Sequence, residues 1–480
     1  MERISPLNTD FYELKMMAGL FRHAKLNDTA TFDLYFRRLP FQGGYAIAAG
    51  LEIALEALEN LRFEKDELDY LRSLGGARKV FAPDFIDWLK SYRFHGDVWG
   101  IPEGTAVFQD EPLMRVSGRL AECLLVETML LCIINFQTLI ATKAARLWEA
   151  SRRGSIMEFG LRRAHGLDGG LSAARAAFIG GADATSNVRA GHVFGIPVKG
   201  THAHAWVMAF PTELDAFRAF AETFPDQCVL LVDTYDVLRS GVPNTIKIAR
   251  EMRTRGKIVA GIRLDSGDLA YLSRSARGML DEAGFPEIKI IASNDLEELV
   301  IEEIIRNEGR VDIWGIGTNL VTGAGPGGVA LGGVYKLVEH NGRPRIKLSD
   351  NIEKSTSPGR KQVYRLTEPN GDLYEADALT LEDEALKPGE DVLIIDPRNP
   401  LRRKRISSPK SCDPLLTVVM KGGKRICEPE PLESARQRRI YALDHLDSSY
   451  KRMVNPHVYK VGVSQALWRV KEELLNLQTP

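Results

Sequence analysis

Residues 258–295, IVAGIRLDSGDLAYLSRSARGMLDEAGFPEIKIIASND, hold one full period of the pattern that decides the fold. The apolar, β-branched run Ile258–Leu264 stops at the polar turn Asp265-Ser266-Gly267-Asp268. Leu269–Ala283 then spaces Leu272, Ala276, Met279, Leu280 and Ala283 along one helical face,. A second apolar run, Ile288–Ala292, follows and ends at Ser293-Asn294-Asp295. Two short strands joined through a helix must lie parallel, because a parallel pair needs a long crossover. The rhythm extends in both directions. Upstream are Ser155–Phe159, Ile196–Gly200 and Cys228–Val232; downstream are the helical stretch Leu296–Asn307 and the run Val311–Ile316. Six such runs predict an α/β domain, read as an irregular TIM-like α/β barrel, with an open doubly wound sheet as the alternative.

The flanks read differently. Residues 1–130 mix both periodicities, with alternation in Thr31–Phe36 and an amphipathic helix over Gly50–Leu61, so a mixed α+β N-terminal domain is expected,. The α/β-barrel catalytic domain is expected over 131–340. Residues 341–480 predict a β-rich C-terminal region packing on the N-terminal domain. Asn341-Gly342 and Asn370-Gly371 are its hairpin signals, and Ser464–Leu477 is a terminal helix,.

Composition narrows the function. The 480 residues carry 63 basic and 64 acidic groups, a formal charge of -1 that supplies no field for nucleic acid or an anionic membrane,. An anionic ligand must therefore meet a local site. Five scattered cysteines without a C-x-x-C pair predict neither a disulfide framework nor a zinc knuckle and suit a cytoplasmic setting,. Met1–Asp10 has no basic-then-apolar leader pattern,. Leu120–Ile134, interrupted by Glu122 and Glu127, reads as a buried core helix too short to span a membrane,.

In both α/β architectures ligands gather at the carboxyl ends of the strands, and the unusual polar chemistry of the chain sits there. Arg263 and Asp265, two apart, point to one face; with Asp268 they offer a guanidinium and two carboxylates, suited to a sugar phosphate with Mg²⁺,. The same residues also fit a strand-end ion pair followed by a helix cap at Ser266 or Asp268. Gly315-Ile316-Gly317-Thr318-Asn319 lets backbone N–H groups approach a phosphate, or is only a turn; it is neither a Walker A nor a dinucleotide fingerprint,. Phe159 and the pair Arg162-Arg163 offer a ring and two guanidinium forks, or a basic loop,. Thr201-His202-Ala203-His204 admits a metal-binding pair, a nucleophile or general base, or a structural histidine,. Locally, Thr9 or Asp10 is an ordinary helix cap, and Arg402–Arg405 a solvated basic loop,.

Taken in order, the segments NTDFYELKMM (8–17), FDLYFRRLPFQGGYAIAAGLE (32–52), EFGLRRAHGLDGG (158–170), GGADATSNVRAG (180–191), GTHAHAW (200–206), GIRLDSGDL (261–269), IIASNDLEE (290–298), GIGTNLVTG (315–323), GGVYKLVE (332–339), SPGRKQVYR (357–365) and NPHVYKVGVS (455–464) resemble the nicotinate phosphoribosyltransferases over nearly the whole chain. The resemblance implies transfer of a phosphoribosyl group from phosphoribosyl pyrophosphate to nicotinate, coupled to ATP hydrolysis through a phosphohistidine. The histidine closing the family's G-T-x-x-H motif is His204, so the modification falls there. Thr201 then lies near nicotinate, Tyr12 stacks on its ring from a partner subunit, and Phe159 stacks on the other face. Arg162 and Arg263 answer its carboxylate, and Asp183 matches an acidic position near the acceptor ring. Asp265, also taken as catalytic, and Asp268 hold ribose hydroxyls or Mg²⁺. Gly315, Gly317 and Thr318 cradle the 5-phosphate, and Ser293 joins the phosphoribosyl pyrophosphate site. The implied partners are these small molecules and ATP, with no nucleic acid or membrane, in a homodimer with a shared active site. The alternatives are the nicotinamide-specific relative, an ATP-independent quinolinate enzyme of the same superfamily, and an unrelated α/β-barrel phosphosugar enzyme.

Overall fold

The computed structural model describes residues 3–327, 329–348 and 355–478. Met1 and Glu2 of the opening segment, and Gly328 of the glycine cluster that follows Val321, lie outside the described residues. The chain forms two compact units. One runs to Leu139 and resumes at Ala330; the other is Ile140–Val329.

The second unit is built on six strands: β1 Ser155–Glu158, β2 Ala184–Thr185, β3 Val229–Leu231, β4 Gly261–Leu264, β5 Lys289–Ser293 and β6 Ile313–Ile316. Their order across the sheet is β2-β1-β6-β5-β4-β3, and every neighbouring pair is parallel. Helices supply the crossovers, among them Gly166–Gly180, Val242–Arg253, Leu269–Glu282 and Glu298–Arg306. The helix Leu269–Glu282 buries Leu269, Ser273, Ala276 and Leu280. Its inward face is therefore rotated from the expected one: Leu272 and Met279 lie on its margins.

One expected strand is absent from the sheet. Ile196–Gly200 contributes a single bridge, Val198 to Thr185, because Pro197 has no N–H to give a ladder and Gly195 enters in the left-handed region at φ 71°,. Ala184–Thr185 takes a place in the sheet instead. Among the described residues the backbone ladder is thus open between β2 and β3, and the architecture is an α/β parallel sheet rather than a barrel closed by strands.

The first unit draws on both ends of the chain. Its seven-stranded antiparallel sheet pairs Thr29–Phe36 with Gly333–His340 on one side and Met114–Arg119 on the other; Asp97–Gly100 and Thr417–Lys421 extend it. The N-terminal and C-terminal regions, read from sequence as separate domains, accordingly share one sheet and one core. A second, mixed sheet is built from residues after 360, among them Lys361–Thr367, Tyr374–Leu381 and Val461–Val463. Asn341-Gly342 makes the tight turn its sequence predicts, with both φ angles positive,. The alternation in Thr31–Phe36 does not separate core from solvent. Asp33 is as buried as its apolar neighbours and pairs with Lys361 at 2.8 Å.

The apolar run that begins at Leu120 breaks at Val126 and continues as the helix Glu127–Ala150. This helix is longer than the sequence reading allowed. By length and composition it is apolar enough to cross a membrane, yet two-thirds of its apolar window is buried inside the protein. Lys143 and Arg146 on this helix both meet Glu298, the first residue of the helix Glu298–Arg306, the latter at 3.0 Å; all three are buried. Removing the acid leaves two buried cations without it. Glu298→Ala is expected to cost about 3–5 kcal/mol, read as a lowered urea midpoint at unchanged slope. A wild-type midpoint would contradict this.

Candidate active site

The carboxyl ends of β1, β4 and β5 converge on one side chain, Arg263, and those of β3 and β6 reach it through these neighbours. Along β4, Ile262 and Leu264 are fully buried, while Arg263 and Asp265 point to the other, partly open face,. Arg263 donates from Nε to Ser293 Oγ at 2.8 Å, from one terminal nitrogen to Thr201 Oγ1 at 3.2 Å, and from the other to Asp265 Oδ1 at 2.7 Å. Ser293 closes the loop by donating to Asp265 Oδ1 as well. Thr201 donates its own hydroxyl to the His202 carbonyl at 3.2 Å.

The β1 end joins the cluster from above. Phe159 continues the strand by donating its N–H to Ile316 O at 2.8 Å. Its ring lies over Gly315, where a Cβ would stand only 2.9 Å from two ring carbons and 3.3 Å from Ser293 Cβ. The Arg263 guanidinium carbon is 5.7 Å from the ring centroid. The next turn, Leu161–Arg163, presents Arg162 to solvent. This turn packs on the loop after β6, since a Cβ on Gly160 would meet Val321 and, at 2.9 Å, the Gly317 carbonyl. Gly317 precedes the single helical turn Thr318–Val321. After β5, Asn294 and Asp295 both have positive φ, 94° and 38°, a strained exit of the kind that collects at functional sites.

The two histidines part company. His202 is buried at 8% exposure, and burial pushes its imidazole down to about 4. It accepts the Leu231 N–H at Nε2, 3.2 Å away, so it is neutral and structural. The His204 side chain is 43% exposed, and its Nε2 lies 3.3 Å from Asp233 Oδ1. Asp233, buried at the end of β3, uses its other oxygen to accept the Asp265 N–H at 3.0 Å and the Ser266 hydroxyl at 2.6 Å. His204, Asp233, Asp265 and Arg263 thus form one continuous hydrogen-bonded chain.

Asp268 is exposed and caps the helix Leu269–Glu282 through the Tyr271 N–H at 3.0 Å. Asp183 donates its N–H to Ile156 O at 2.8 Å. It accepts from Ser155 Oγ at 2.6 Å, at the amino end of β1, about 13 Å down the strand from Phe159. Tyr12 belongs to the other unit, on the helix Phe11–Arg22; it is 47% exposed, and partial burial with nearby Glu127 and Glu13 pushes its hydroxyl up to about 12. Among the described residues no group of three or more His, Cys, Asp or Glu side chains is gathered to hold a metal ion.

Sequence reasoning passed over two residues. Asp233 was visible only as a polar strand end; its place level with Asp265 on the neighbouring strand was the available signal. Glu158 looked like an ordinary strand residue. It is buried, which raises its carboxyl above the usual range, and it holds the Phe159-Gly160 turn by accepting the Gly160 N–H and the Thr185 hydroxyl, the latter at 2.5 Å.

A guanidinium, a carboxylate pair, an imidazole and glycine-lined strand ends on one rim of a parallel α/β sheet define an anion-handling enzyme site, and comparison with known proteins gives its class. This is a type II phosphoribosyltransferase. Residues 7–135 match the nicotinate phosphoribosyltransferase (NAPRTase) N-terminal domain, 155–379 the NAPRTase family and 360–471 the NAPRTase C-terminal domain. The chain is 45% identical over 477 residues to the nicotinate phosphoribosyltransferase of Bacillus subtilis (strain 168), covering 98% of this chain and 95% of that one. It is 37% identical over 525 residues to nicotinate phosphoribosyltransferase 2 of Arabidopsis thaliana, covering 97% and 93%. The crystal structure of human nicotinic acid phosphoribosyltransferase superposes with a TM-score of 0.83 at 30% identity over 97% of this chain and 99% of that one. The chain belongs to the nicotinate phosphoribosyltransferase family.

The contact between Phe159 and Gly315 provides a test of the site. Gly315→Ala forces a methyl into the ring. Catalytic efficiency with nicotinate is expected to fall about tenfold, near 1.4 kcal/mol, with the far-ultraviolet circular dichroism unchanged. Undiminished kcat/KM would show that the ring's position does not matter.

Proposed function

We propose that this enzyme transfers the phosphoribosyl group of 5-phosphoribosyl 1-pyrophosphate to the ring nitrogen of nicotinate, drives the transfer with ATP through phosphorylated His204, and so feeds NAD salvage. The observation that carries the reading is the chain from His204 through Asp233 and Asp265 to Arg263. With Nε2–H donated to Asp233, His204 keeps its lone pair on Nδ1. That lone pair attacks the γ-phosphorus of ATP, the bond to the β-phosphate oxygen breaks, and ADP leaves with the electron pair. Water later hydrolyses the phosphohistidine to inorganic phosphate.

Arg263 and Arg162 would meet the carboxylate of nicotinate, a match that favours the acid over its amide. Phe159 supplies one face for the ring and Tyr12, from a second copy of the chain, the other. The nicotinate nitrogen is unprotonated at neutral pH and needs orientation rather than a base. As pyrophosphate departs, the sugar gains oxocarbenium character that the Asp265 carboxylate stabilises. Gly315, Gly317, Thr318 and Ser293 would receive the phosphoribosyl moiety through N–H and hydroxyl groups. Asp265 and Asp268 would hold Mg²⁺ jointly with substrate oxygens, as that ion prefers, and its charge would offset that of the leaving pyrophosphate. Half-exposed Phe11, Tyr12 and Met16 on one helix support a homodimer, and five free cysteines fit a cytoplasmic setting,.

The test is incubation with phosphoribosyl pyrophosphate, Mg²⁺ and nicotinate, with and without ATP, measuring mononucleotide and ADP together. Wild type should form both in step. His204→Ala should make mononucleotide slowly and without matching ADP. An Ala variant that still consumes ATP in step with product would refute the assignment.

A further inference from the structure

We propose that His202 is a positioning residue: its side chain completes the parallel sheet where a strand is missing and thereby sets His204 against Asp233. The proposal rests on the phosphohistidine reading above and extends it to a residue that reading does not use.

The edge strand β3 has one partner in the backbone ladder, β4. Val232 donates toward that partner, to Arg263 O at 3.2 Å. Successive residues of a strand direct their N–H groups to opposite sides, so the Leu231 N–H faces the gap. Leu231 is 1% exposed, and a buried N–H needs an acceptor. His202 Nε2 provides it at 3.2 Å.

The segment that carries His202 is fixed on its other side by backbone hydrogen bonds. Thr185 donates to Pro197 O at 3.0 Å and Lys199 donates to Thr185 O at 3.0 Å, tying residues 197–199 to β2. From there the chain crosses to β3, and the contacts it makes keep the register of a parallel strand. Residue 202 meets residue 231 and residue 204 meets residue 233, each by an imidazole where a strand would use its backbone. Ala203 between them is extended, φ -100° and ψ 167°, which directs both rings to the same side just as the helix His204–Met208 begins,. The first contact therefore sets the second.

The surroundings suit a permanent acceptor. The His202 ring packs edge-on to Phe220, with centroids 4.8 Å apart, and its Nδ1 faces Ala203 O at 3.4 Å. With Nδ1 protonated, Nε2 must be the acceptor. Burial holds the imidazole neutral down to about pH 4, so the bond persists across the range in which ATP-coupled chemistry runs. His204, two residues on and 43% exposed, has the opposite character. The two histidines divide the work: one closes the sheet and the other does chemistry.

The experiment uses the full chain with γ-³²P-labelled ATP and measures acid-labile, base-stable label on the protein, together with ADP formed per mononucleotide. Hydrogen exchange of the peptide spanning Leu231 is followed in parallel. His202→Ala should lower the label at least about tenfold and deprotect the Leu231 peptide. His202→Gln, whose amide oxygen can accept the same N–H, should restore both to within about threefold of wild type. Full labelling and coupling in His202→Ala overturns the proposal. Should the Ala variant fail to fold, the Gln variant decides alone: retained coupling supports the proposal, and lost coupling in a folded Gln variant overturns it. Wild type that takes no label refutes the phosphohistidine reading and this inference with it, whereas labelled wild type beside an indifferent His202→Ala refutes this inference only.

Discussion

The guanidinium of Arg263 is the constraint on which the site depends. It holds Ser293 from β5, Thr201 from the segment after β2, and Asp265 from its own strand. Those contacts engage all three nitrogens and fix the guanidinium plane while leaving N–H donors for a ligand, which lysine could not do,. Each of these charges has partners before any ligand arrives: one carboxylate lies against the guanidinium, and a second, Asp233, is bound to backbone and hydroxyl donors. A ligand carboxylate or phosphate therefore meets groups already oriented and pays little to organise them.

The open side of the sheet shows how function and architecture share residues. A strand-closed barrel would bury its last edge in backbone pairs. Here Pro197 and Gly195 spoil the seventh strand, and imidazoles reach across in its place. The gap is also where His204 is half-exposed. On the proposed reading His204 meets ATP while keeping a buried carboxylate partner, and the gap gives its ring a route to solvent.

Much of this was legible in the sequence because strand and helix periods survive packing. The runs around 155, 228, 261, 288 and 311 are strands to within a few residues, and the residues at their carboxyl ends meet. Arg263 and Asp265 on one strand face followed from alternation alone. What escaped depended on tertiary geometry. Ala184–Thr185 is too short to register as a period, and Ile196–Gly200 has strand composition but contains a proline. Asp33, buried with Lys361, broke the link between polarity and exposure. Asp233 matters through partners 29 to 33 residues away and Glu158 through Thr185, 27 residues away, distances no local pattern encodes. The sharing of one sheet by the two ends of the chain was invisible for the same reason.

The most direct measurement is the steady-state kinetics of Arg263→Lys with nicotinate and phosphoribosyl pyrophosphate, alongside its urea unfolding curve. Lysine keeps the charge and loses the fork. The account predicts that kcat/KM for nicotinate falls about a hundredfold, near 2.7 kcal/mol, while the unfolding midpoint moves little. Kinetics indistinguishable from wild type in a folded Lys variant would contradict it.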